Sequence, residues 1–208
     1  MAKQSTKQRI RERKRRESRR RTITAIAIIA IVSFGIFQLV SALGKRATVD
    51  PIALATSGPL GASIPTAESV RHVPEGTDPG PFSADPPTSG IHYATQLFAD
   101  FYEEDALETY GPYPEGYILH SSEHGYVIFW YNCEVLTAGS CDDLKQDIQA
   151  VMSEVGDFKV IGFPRPALEV PVVMTTWERS LRMEQFDAAL AEQFARTYRN
   201  QAPEPNAP

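Results

Sequence analysis

Two histidines lie four residues apart in HSSEHGYVIFWYNC, residues 120 to 133, with Glu123 between them and a strongly apolar run directly after. The chain has only four histidines. A third, His92, follows PPTSGI, where Pro86 and Pro87 stiffen an extended segment and Thr88-Ser89-Gly90 makes a turn. The fourth, His72, sits in the turn-rich RHVPEG. Neutral imidazole binds copper and zinc well, and three or four histidines held by rigid turns make a site for either ion. The candidate metal ligands are therefore His92, His120 and His124, with His72 as an optional addition. Glu123, Cys133 and Met174 are further candidate donors, whereas Met152 and Met183 fit helix core positions.

Spacing decides which histidines can share an ion. On an extended strand His120 and His124 would stand about 13 Å apart, too far for a metal with bonds of about 2 Å. In a helical turn or a tight bend their Cβ atoms come within about 6 Å. H-x-x-E-H is also the inverted zinc-protease signature, in which both histidines bind zinc and the glutamate activates water. The β-type run that begins after Gly125, without a long amphipathic helix around the motif, argues against that chemistry. Ser121, Ser122 and Gly125 suit a strand–bend–strand arrangement. The plainer reading is a polar turn whose His and Glu side chains bond backbone groups; the additional histidines near turns tip the balance towards a metal.

Other chemistries leave little trace. There is no Gly-x-Ser-x-Gly nucleophile elbow, phosphate-binding Gly-rich loop or dinucleotide fingerprint. The cysteines, Cys133 and Cys141, read as a disulfide closing a short loop that contains Gly139. Metal thiolates are the alternative, but the spacing exceeds the tight spacings of typical cysteine metal sites.

The elements around these residues are legible from periodicity. Gly116–His120 and Tyr126–Tyr131 read as strands flanking the bend, the second buried on both faces. Ser140 or Asp142 caps a helix through about Val155, with Leu144, Ile148, Val151, Met152 and Val155 on one face. FKVIGF (158–163) and VPVVMTTW (170–177) read as strands, and a last helix runs from about Met183 to Arg199. The sum is an α+β domain: a small, mostly antiparallel sheet covered by two helices, preceded by one N-terminal transmembrane helix.

Charge supports that last element. The net charge of −5 divides sharply. Residues 1–21, a basic cytoplasmic arm, hold eleven Lys/Arg and two Glu. Residues 22–44, TITAIAIIAIVSFGIFQLVSALG, carry no charge; as a helix they would reach about 34 Å, enough for a hydrocarbon core of roughly 30 Å. Residues 45–208 are acidic, with ten Lys/Arg against twenty-four Asp/Glu. The basic flank holds the N-terminus in the cytoplasm and sends the rest to the extracytoplasmic face. Val40-Ser41-Ala42 resembles a cleavage site, but the apolar stretch exceeds a signal peptide's usual 7–15 residues. The arm is read as a topology signal attracted to anionic lipid, and no nucleic-acid partner is expected. Residues 45–70 read as a flexible tether, 71–200 as the extracytoplasmic domain and 201–208 as a disordered tail.

The phrases RHVPEG, PPTSGIHY and HSSEHGYVIFWYNC, with a terminal helix ending in PE, resemble the bacterial domain-of-unknown-function family numbered 3105, over about residues 70–205. Ile91 stands where Pro is expected and Ser122 where Leu is expected. The resemblance implies that Pro86, Pro87, Gly90, His92, His120, Glu123, His124 and Gly125 form the family motif. It supplies no activity. Two readings compete with a copper or zinc site. One is a non-catalytic interaction module or accessory subunit of a membrane protein complex, using the aromatic stretch 98–117 as contact surface. The other is a metal-dependent hydrolase with Glu123 as base. A pH-sensing histidine cluster is a fourth role for the same residues.

Overall fold

The computed structural model describes residues 59–208. The basic arm 1–21, the apolar span 22–44 and the first part of the tether lie outside the described residues. Among the described residues no helix is long and apolar enough to cross a membrane. The elements run β1 (Ala62–Ser63), β2 (His72–Val73), β3 (His92–Tyr93), β4 (Asp100–Phe101), α1 (Ala106–Thr109), α2 (Glu115–Glu123), β5 (Val127–Tyr131), α3 (Cys141–Glu154), β6 (Val160–Pro164), β7 (Val172–Thr176), β8 (Arg179–Met183) and α4 (Ala188–Tyr198).

The apolar run of β5 explains the architecture. Its residues are all buried, and successive side chains point to opposite faces. Val127, Phe129 and Tyr131 join a core with Leu144, Ile148 and Phe194 from α3 and α4. Ile128 and Trp130 join a second core with Ala106 of α1 and Ile118 of α2. Helices thus cover both faces of the sheet, four in number among the described residues where periodicity suggested two. Each large side chain buried this way contributes about 1.5–3 kcal/mol. The Trp130 indole N–H donates to Thr175 Oγ1 at 2.8 Å, so its burial leaves no donor unpaired.

The main sheet has the order β1-β8-β7-β5-β6-β4. The first three pairings are antiparallel; β5 with β6 and β6 with β4 are parallel. The domain is α+β with a mostly antiparallel sheet. Its parallel step follows from α3, which carries the chain from the end of β5 back to the start of β6. Ser140 caps α3: its Oγ accepts the Asp143 N–H at 3.1 Å, and the Asp143 carboxylate accepts the Ser140 N–H at 3.2 Å. Cys133 and Cys141 form a disulfide with Cα atoms 5.2 Å apart, tying the segment after β5 to the first residue of α3.

Several expectations are corrected. Gly116–His120 is helical, within α2, not a strand. The C-terminal helix starts at Ala188, because Arg179–Met183 forms β8, hairpinned onto β7 through Trp177 and Glu178. Met183 is buried in the core from that strand. The end of the tether is built into the sheet: Ala62 and Ser63 pair with Ser180 and Arg179, and Leu60 packs against the core. Tyr102, Tyr110 and Tyr117, expected on a contact surface, pack against the second core instead.

Candidate metal centre

The centre is assembled from three directions. β2 and β3 form a separate two-stranded parallel sheet whose register places His72 opposite His92. Helix α2 lies against β3 and brings His120 beside them. The ring centroids of His72 and His92 are 4.8 Å apart, those of His72 and His120 5.0 Å, and those of His92 and His120 5.4 Å. One nitrogen from each of the three lies within 4.8 Å of the others. An ion with bonds of about 2 Å would draw these atoms in to about 3.3 Å, a contraction available to exposed His72.

Two of the rings are held by backbone. His92 is fully buried, and its Nδ1 bonds the Gly90 carbonyl at 2.8 Å. His120 Nδ1 bonds the Tyr93 carbonyl at 2.7 Å. A carbonyl only accepts, so both Nδ1 atoms carry a proton and Nε2 is the atom left to a metal; on His92 that atom is engaged by Glu123, which a metal would have to displace. His92 Nε2 faces Glu123 Oε2 at 3.1 Å. Glu123 thus touches the cluster at His92.

Local sequence explains these positions. Pro86 to Gly90 is buried throughout, so the stiff PPTSG segment is a wall of the site. Gly90 has φ +149°, and a Cβ there would meet the Phe82 ring at 3.2 Å. Gly125 ends α2 with φ +90°, and a Cβ would lie 2.7 Å from Asn200 Cα. Its carbonyl accepts the Asn200 N–H at 2.9 Å, which brings the segment after α4 against the end of α2. Ser121 anchors the helix from the other side: its hydroxyl donates to the Leu97 carbonyl at 2.6 Å and accepts the Leu97 N–H at 3.0 Å.

The family model described as a protein of unknown function, DUF3105, matches residues 76–208. The chain belongs to this family. No curated protein and no solved structure matches it. The DUF3105 match includes His92, His120, Glu123 and His124; His72 lies four residues before its start.

The four histidines divide. His124, on the same helix as His120 with ring centroids 4.5 Å apart, stands outside the three-histidine group. Its Nδ1 bonds Gln96 Oε1 at 2.7 Å and the Pro208 carbonyl at 3.1 Å. Cys133 cannot serve as a thiolate while it is bonded to Cys141, and Met174 lies in the core beneath α3 and α4. Burial holds His120 below its ordinary pKa against the pull of the Tyr93 carbonyl, and the neighbouring His124, His92 and His72 act in the same direction as burial. A neutral imidazole is the ligand form.

Sequence reasoning missed two participants. Lys159 is 3% exposed, and its Nζ donates to the carbonyls of His124 (2.9 Å), Pro205 (2.9 Å) and Ala207 (2.8 Å). Residues 204–208, read from composition as a frayed end, supply the other side of these bonds. A lysine inside the apolar FKVIGF run was the available signal.

Proposed function

We propose that the domain binds one transition-metal ion through His72, His92 and His120, with copper(II) the first candidate and zinc the second. The observation that carries this reading is the pair of buried imidazoles whose Nδ1 atoms are pinned by backbone carbonyls while a third imidazole stands within ligand range. Metal-binding histidines are oriented in this way by their second nitrogen. The donor set is nitrogen with a nearby carboxylate and no free thiolate or thioether, which suits divalent copper or zinc better than copper(I). Copper(II) stands above zinc in the general affinity order for such ligands. An acidic domain also draws cations towards it.

The same proposal places the domain on the extracytoplasmic side of a membrane. The uncharged stretch 22–44 behind a dense basic arm supports an uncleaved single-pass anchor with a cytoplasmic N-terminus. A disulfide suits the oxidising side. The test is metal content of the full chain, purified in detergent without a histidine tag, loaded with copper or zinc, dialysed and assayed by plasma mass spectrometry. Stoichiometric metal in the parent and its loss in His92→Ala and His120→Ala is the expected result. A folded parent chain that retains neither ion overturns the reading.

A further inference from the structure

His124 has the spacing of a ligand but stands outside the three-histidine group. It follows His120 by one helical turn, the spacing at which two histidines reach one ion. The two rings are closer than any pair within the three-histidine group. Yet it stands outside the three-histidine group: Gln96 and the Pro208 carbonyl fix its Nδ1 and so set the direction of the ring, and its Nε2 faces Glu204 Oε2 at 3.6 Å. Two of these three partners belong to one short segment at the C-terminal end.

That segment is fastened by two independent attachments. The Glu204 N–H donates to the Glu123 carbonyl at 3.0 Å, inside the last turn of α2. Lys159 Nζ joins the His124 carbonyl to those of Pro205 and Ala207. A buried ammonium with three carbonyl acceptors links the end of the metal-bearing helix to the tail, and one of the three, that of His124, is a carbonyl the helix end leaves without a partner.

We propose that residues 204–208 are a strap that holds His124 away from the metal, and that releasing the strap lets His124 join His72, His92 and His120 as a fourth ligand. This rests on the metal reading above. With the strap docked the ion keeps an open position, the arrangement of sites that exchange a ligand; with the strap released the coordination closes, the arrangement of structural or storage sites. The strap therefore sets how readily the centre gives up or reacts through its metal. Lys159 acts as a positioning residue, since it touches the strap and the helix backbone and no ligand atom.

The test counts nitrogens. Copper(II) is loaded into the full chain, a chain ending at Pro203 and the full-length Lys159→Met variant, each with and without His124→Ala. Nitrogen hyperfine couplings in electron paramagnetic resonance give the number of imidazole ligands. The expected result is three in the parent and four in both released chains, returning to three when His124→Ala is added. Copper dissociation should slow in the released chains and recover with His124→Ala. Copper retained with the same nitrogen count in all chains, or four nitrogens already in the parent, overturns the strap and leaves the metal reading standing. No copper retained by any chain overturns the metal reading and the strap with it. Lys159→Met keeps the full length, so a truncated chain that fails to fold does not decide the outcome.

Discussion

Gly116→Ala should damage the centre from a position that touches no metal ligand. Gly116 is the second residue of α2, and a Cβ there would lie 2.6 Å from Tyr93 Cζ and closer still to Cδ2 and Cε2. Tyr93 has nowhere to go: it is 1% exposed, its hydroxyl donates to the Thr77 carbonyl at 2.9 Å and its ring meets the Tyr117 ring at 4.8 Å. Restoring ordinary contact requires α2 and β3 to separate by about 1 Å, an overpacking cost of about 1–3 kcal/mol. Helix propensity returns about 1 kcal/mol, so a net loss of up to about 2 kcal/mol is expected. The same separation stretches the bond from His120 Nδ1 to the Tyr93 carbonyl, now 2.7 Å. Loss of such an orienting bond typically weakens metal binding about 10–100-fold. Gly162→Ala is the control. Its Cβ would meet the Phe101 ring with Cε2 at 2.8 Å, on the sheet face under α3 and α4, remote from the histidines. Urea unfolding measures the stability of both variants and chelator competition measures copper affinity. Both should be destabilised, and only Gly116→Ala should lose affinity. A Gly116→Ala chain with parental affinity, or equal loss in both variants, refutes the reasoning.

Three further outcomes follow from the structure. Burial depresses the folded-state pKa of His120, so its contribution to stability is complete above about pH 6.5, the unfolded value. It is lost as pH falls towards the folded value, because the unfolded chain takes up the proton first; the metal-free parent should therefore lose more stability than His120→Gln between about pH 7.5 and 5.5, and equal slopes in urea midpoints would count against this. Opening the Cys133–Cys141 bond, which closes a loop of sequence separation 8, should cost about 2–3 kcal/mol by loop entropy, measured as the shift in urea midpoint of the double Cys→Ser chain. Ser140→Ala removes the side-chain half of the α3 capping box, leaving the backbone N–H to bond Asp143, and should cost about 1 kcal/mol, with no change in metal content; a loss of bound metal would show that α3 communicates with the histidines.

What could be read from sequence was whatever repeats locally. The α3 helix has a cap, a first-turn acid and an apolar face, and it lies where its periodicity put it. The strand β5 is apolar throughout because both its faces are buried. Helix α2 failed for another reason: from Ile118 to Glu123 every residue is buried, four of them polar, so no apolar stripe marks its period. The β8 strand failed because Met183 and Phe186 extend the apolar stripe of α4 backwards across a chain break in direction. Strands of two residues, such as β2 and β3, are too short to carry a pattern at all. The histidines were identifiable as a group by their turns, but the pairing of His72 with His92 is a register between residues twenty positions apart, and the position of His124 depends on a tail held by Lys159 and by the Glu204 N–H. Long-range register and backbone acceptors leave no local signature.

The order of the six strands bears on how this domain behaves among other chains. Its five-residue strands are internal or next to internal, and both margins are closed by stubs of two residues, β1 and β4. The part of β8 that extends past β1 carries Arg182, which reaches Glu169 and Glu184. Short margins and charge along an open edge deny an incoming strand the run of unpaired amides it needs to add on. Edge-to-edge pairing of the main sheet between copies of the domain is thereby disfavoured.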